Sequence, residues 1–153
     1  MIQDNSLTFA QAQAITATAE ATNVIDTVVV NGGIQGSTGN TNNGDPEPLH
    51  LSLVVSTDQL FASADGSATL TISLYSGATD TATNTLYTSP ALTIAQLNAL
   101  AAGSNNPLAN IVVPRGQLLE FLGLEFTVGT ENFTAGHITA FLAFDAVQTN
   151  FNQ

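Results

Sequence analysis

The sequence predicts an all-β fold: a sandwich, a barrel or a jelly roll of about eight short strands with at most one short helix. Three observations lead there. Apolar residues recur every second position in several segments. The stretches between those segments are rich in Gly, Asn, Asp and Pro, which supply turn geometry. Only one short segment carries helical spacing together with a capping signal.

The strongest alternation defines four strands. Leu49, Leu51, Leu53 and Val55 alternate with His50, Ser52 and Val54. Leu70, Ile72 and Leu74 alternate with Thr69, Thr71, Ser73 and Tyr75. Leu122, Leu124, Phe126 and Val128 alternate with Gly123, Glu125 and Thr127, and Ile138, Ala140, Leu142 and Phe144 with His137, Thr139, Phe141 and Ala143. Successive side chains of a strand point to opposite faces, so each segment buries one face. The many Thr residues suit the other, because a branched Cβ fits a pleated surface. Weaker patterns predict strands at Ala14–Thr18, Val24–Val30, Asn84–Thr88 and Asn110–Val113. Asp65-Gly66 predicts a tight turn into the following strand. Thr93 and Gln96 have the spacing of a capping box, with Ile94, Leu97 and Leu100 on one side and Gly103 and Pro107 as stops.

The whole chain, 1–153, reads as one domain, with an N-terminal arm or edge strand over 1–10. Residues 31–48 contain five Gly and almost no apolar side chains, which predicts an exposed loop insertion.

Composition excludes several classes. The 153 residues carry 12 Asp+Glu and a single basic residue, Arg115, for a net charge of -11. One Arg without Lys cannot neutralise a phosphate backbone, so no nucleic-acid partner is expected. Anionic membranes repel such a chain, and no apolar run approaches the roughly 20 residues of a membrane span, so no membrane partner is expected either. The start, Met1 to Asn5, lacks the basic and hydrophobic regions of a signal peptide. With no Cys there is neither a disulfide framework nor a thiolate metal site.

No chemical constellation assembles from spacing. His50 and His137 stand 87 positions apart, and a metal site would need both to converge with a carboxylate such as Asp145. No nucleophile elbow accompanies the Ser residues. Asp45 and Glu47 flank Pro46 in the 31–48 loop, and Asp58 and Asp65 bracket a predicted turn, in neither case with calcium-loop spacing. A two-carboxylate glycosidase would also want an aromatic sugar platform, and the chain has no Trp. Gly32-Gly33 and Gly36 precede neither Lys nor a helix, so no phosphate loop forms. Asn132-Phe133-Thr134 matches a glycosylation sequon by pattern alone. No enzyme activity, metal or cofactor is expected, and a structural or binding role is.

The run Met1-Ile2-Gln3-Asp4 through Leu7-Thr8-Phe9, then Ala12–Ala19 to Thr22–Asp26, resembles the start of tailed-phage capsid cement proteins, typified by the cement protein of a Bordetella phage. Phe121–Val128 resembles the penultimate strand of that family, Thr134–Leu142 its final strand, and Pro114-Arg115-Gly116 the approach to them. The resemblance implies an antiparallel jelly-roll β-sandwich that forms a homodimer. It implies a decoration protein on the outer capsid surface of the virion, bridging capsomers by binding the major capsid protein.

Interface expectations follow from face assignment. Leu119 and Phe121 lie opposite Leu122, Leu124 and Phe126, and Phe141 lies opposite Leu142 and Phe144, so these residues either face a partner or belong to strands covered on both faces within one sandwich. Ile2, Leu7 and Phe9 belong to the N-terminal arm or edge strand, and Arg115 suits a bidentate carboxylate contact, either with an acid of this chain such as Glu120 or with the shell. The alternative function is a carbohydrate- or receptor-binding β-sandwich that uses the 31–48 loop.

Overall fold

Alternating burial organises the chain into two antiparallel sheets in a computed structural model, which describes residues 7–26, 49–79, 84–100, 107–113 and 119–143. The strands are β1 (Thr8–Ala14), β2 (Ala19–Glu20), β3 (Ile25–Asp26), β4 (Leu49–Ser63), β5 (Thr69–Gly77), β6 (Asn84–Thr88), β7 (Leu92–Thr93), β8 (Pro107–Val113), β9 (Phe121–Gly129) and β10 (Phe133–Ala143). The helix α1 spans Ile94–Ala99.

The first sheet has the order β1-β10-β4-β8 and the second β2-β9-β5-β6, with β3 also pairing β9 and β7 pairing β5. When β2 and β3 are counted as one interrupted position beside β9, the order is that of a jelly roll. The chain steps from sheet to sheet between β1 and β2, β3 and β4, β4 and β5, β6 and β8, β8 and β9, and β9 and β10.

The core lies between the sheets. Leu51, Leu53, Ile138 and Ala140 face it from the first sheet; Leu70, Ile72, Leu122, Leu124 and Phe126 face it from the second. Each fully buried aliphatic or aromatic side chain contributes about 1.5–3 kcal/mol, so these alternating positions dominate the favourable side of folding.

The helix forms as the capping residues dictate. The Gln96 backbone N–H donates to the Thr93 hydroxyl at 3.4 Å, and the Thr93 N–H donates to the Gln96 side-chain oxygen at 2.9 Å. Leu97 is fully buried, with Ile94 and Leu100 packed against the core. The helix stops at Ala99, ahead of Gly103, and Pro107 opens β8 instead, a strand position where the missing N–H costs least.

Four expectations need correction. Residues 15–18 are not a strand: β1 runs earlier, over Thr8–Ala14, and the chain then turns across the sandwich, with Ile15 N–H donating to Gly136 O at 3.0 Å. Of the two expectations for residues 1–10, the arm fails and the edge strand holds: β1 is the end strand of its sheet, and Leu7 and Phe9 are buried in the core, Phe9 completely. Phe141 is not an exposed outer residue either; it is 7% exposed, packed in a small cluster with Val54 and Ala143. β4 runs on to Ser63, well past Val55, because its distal half pairs with β10 as far as Phe133. Of the predicted strand Val24–Val30, Ile25–Asp26 is seen; residues 27–30, the loop 31–48, Ile2, Arg115 and Phe144 lie outside the described residues.

Candidate interaction surface

Among the described residues, the groups singled out for chemistry are scattered or absorbed by the fold. His50 and Gln59 both lie in β4, and His137 pairs in register with Gln59. Nine residues of strand at about 3.3 Å each separate the two histidine positions by about 30 Å. Among the described residues, no group of three or more His, Cys, Asp or Glu side chains could hold a metal ion. Asp58 accepts a hydrogen bond from the Thr139 hydroxyl at 2.6 Å, and Thr139 in turn accepts from the Ala12 N–H at 2.9 Å. That chain of contacts serves β1, where Ala12 has a positive φ of 46°.

Asp65 builds its turn. Its carboxylate accepts from the Ser67 hydroxyl at 2.8 Å and the Ser67 N–H at 3.2 Å, while Gly66 takes the positive φ of 79°. Glu131, from the β9–β10 turn, accepts from the Asp65 and Ser67 N–H groups at 3.4 and 3.2 Å. Hydrogen bonding to the Glu131 carboxyl, then to Ser67, holds the Asp65 carboxyl below its ordinary value of 3.8. Asp45, Glu47 and Asp145 lie outside the described residues.

The described residues among those expected at an interface do not form one patch. Leu7 and Phe9 are inside the core, Leu7 almost and Phe9 wholly out of reach of solvent. Phe121 is half-buried in β9, paired on one side with Asp26 and on the other with Gly77. Leu119 is half-buried too, and its N–H donates to Ser76 Oγ at 2.6 Å. Ile2 and Arg115 lie outside the described residues.

Two large apolar side chains stand out into solvent among the described residues: Leu60, 66% exposed, and Val112, 53% exposed. Neither was singled out by sequence. Leu60 follows the polar run Ser56–Gln59, beyond the alternation that ends at Val55, and pairing with β10 carries the strand through that run. Val112 was placed in a strand, and the alternation Asn110, Val112 against buried Ile111 marks it as outward-facing.

The two sides of the sandwich are finished differently. Beside β1 and β2, Gln13 donates from Nε2 to Glu20 O at 2.8 Å and accepts from the Thr22 N–H at 2.9 Å. Asn23 N–H donates to Phe9 O at 2.8 Å. Register shifts interrupt β1 twice against β10. Bulges and cross-links of this kind blunt an edge strand against further pairing. The opposite side is formed by β8 and β6, the last strands of their sheets. From Asn110 to Val113, β8 runs in unbroken register with β4.

The Bbp16 family matches the chain over residues 9–142. No curated protein matches it. The match takes in every described strand from Phe9 to Leu142, and so the whole jelly roll apart from its outermost residues. The chain therefore belongs to the Bbp16 family, the Bordetella phage family it resembles, and is a phage structural protein.

Proposed function

We propose that this protein is a capsid cement protein. It binds the outer surface of an icosahedral phage capsid, contacts the major capsid protein, and bridges capsomers as a homodimer. The observation that carries the proposal is family membership over residues 9–142. The charge supports it. With 12 acids against one Arg, the protein suits the solvent side of a particle rather than the packaged nucleic acid.

The mechanism is linkage. A partner that binds the closed lattice and not its separated parts lowers the free energy of the closed state by mass action. Two binding sites in one dimer make the second contact intramolecular, so weak single contacts add up to firm attachment. No catalytic step, cofactor, nucleic acid or membrane enters this role.

Co-sedimentation tests it. Purified protein is mixed with capsids stripped of it, in unexpanded and expanded forms, and pelleted. Saturable recovery with one of these forms is expected, together with a higher capsid melting temperature. Recovery with neither form refutes the cement function.

A further inference from the structure

The acids of this chain are unevenly placed. All 12 fall in residues 1–80 and 120–153, leaving 81–119 with no acid and with Arg115, the sole cation. That stretch contributes β6, β7, α1 and β8. β6 and β8 are the end strands of the two sheets on the same side of the sandwich. One side of a protein of charge -11 is thus built from strands without a negative side chain.

We propose that the β8 edge, Pro107–Val113, is where two copies of this chain pair strand to strand about a twofold. The inference rests on the dimer in the function proposed above and assigns its surface. Two copies, each at -11, repel wherever their acids meet, and they approach at less cost where the strands that meet carry no acid. Antiparallel pairing of a strand with its own copy is self-complementary, as a twofold interface requires. The strand carries no charge, and no charged or bulged device interrupts Asn110–Val113. No described strand pairs with its outer side. The β1 edge, in contrast, is bulged and laced to the β2–β3 segment. Val112, 53% exposed on the outer face, would be covered by the approaching copy.

The test compares full-length protein with Val112→Asp and Leu60→Asp. Each variant adds one negative charge at an exposed apolar site, but Leu60 lies beyond the β4 segment that pairs with β8. Sedimentation velocity over a concentration series gives the dimer dissociation constant. Like charges brought together across a twofold interface repel, so Val112→Asp is expected to weaken the dimer by at least about tenfold. Leu60→Asp is expected to leave it unchanged. A wild-type chain that stays monomeric refutes the dimer itself. A dimer that survives Val112→Asp, or one lost equally in Leu60→Asp, refutes the β8 assignment alone. Amide hydrogen exchange of the wild-type chain needs no folded variant. Protection within 107–113 should rise with protein concentration, and unchanged protection through the dimer transition overturns the assignment.

Discussion

The Tyr75 ring in β5 lies across Gly123 in β9, its partner in the strand register. A Cβ at position 123 would sit inside the ring's van der Waals surface. The glycine is thus the space that the buried tyrosine occupies, on the face of the second sheet away from the core. Phe61 in β4 repeats the arrangement over Gly136 in β10, and its ring meets Phe133 edge-on with centroids 4.9 Å apart.

Gly123→Ala forces Tyr75 out of this seat. Overpacking of a filled site costs about 1–3 kcal/mol. Urea unfolding is expected to show a lower midpoint at an unchanged slope, the sign of lost stability rather than an altered unfolded state.

Gly136→Ala should cost more than Gly123→Ala. Gly136 has a φ of 148°, which L-residues rarely adopt, and it also seats the Phe61 ring. Backbone strain of about 1–3 kcal/mol adds to the packing cost. Equal midpoints for the two variants would show that the positive φ adds nothing.

Thr93→Ala removes the capping hydroxyl of α1 and should cost about 1 kcal/mol. Asn98→Ala tests what the helix is for. The Asn98 side chain accepts from Phe61 N–H at 2.7 Å and donates to Phe61 O at 3.1 Å. Losing both bonds should cost about 1–3 kcal/mol and speed amide exchange at Phe61 more than at Leu53.

Acid weakens the Asp65 turn. The folded carboxyl titrates below its ordinary 3.8 because of the Glu131 carboxyl and then Ser67, so ionised Asp65 favours the folded state. The Glu131 part needs a proton shared between the two carboxyls and so acts only in acid, whereas the Ser67 part is complete above the unfolded value and is lost as pH falls through the lower folded value. Asp65→Asn should therefore flatten the stability curve below about pH 4 and leave its slope unchanged between pH 5 and 8. Denaturation midpoints measured from pH 2 to 8 in both proteins check this.

Phe141→Asp and Phe121→Asp should behave differently. Phe141 is packed with Val54 and Ala143, so an unpaired charge there destabilises the fold itself, visible in circular dichroism. Phe121 is half-buried and should tolerate the charge with the fold intact, while retention on capsids falls. Attachment through apolar contacts should persist at about 1 M salt, where the Debye length is near 3 Å. A steep loss with salt would point to acids of this chain meeting basic residues on the shell.

The period-two pattern located the interiors of β5, β9 and β10 and the first half of β4 and separated their faces, while weaker patterns placed β6 and the second half of β8 without assigning faces. Leu70, Ile72, Leu74, Leu122, Leu124 and Phe126 are all fully buried. The capping box at Thr93 and the Asp65-Gly66 turn were also readable, because each depends on residues within one turn of chain. The family was legible in the runs that the Bbp16 match later covered.

Tertiary structure alone decided the rest. Alternation states which face a side chain takes, but not which strand lies beside it. The orders β1-β10-β4-β8 and β2-β9-β5-β6 therefore came only with long-range pairing. The same pairing turned the polar run Thr57–Gln59 into strand and drew Phe9 into the core. It also gathered β6 and β8 from one acid-free stretch onto a single side, so a bias in charge along the chain became a bias in space. Local chemistry sets a residue's face and turn; its neighbours depend on contacts across dozens of residues, whose closure no short pattern encodes.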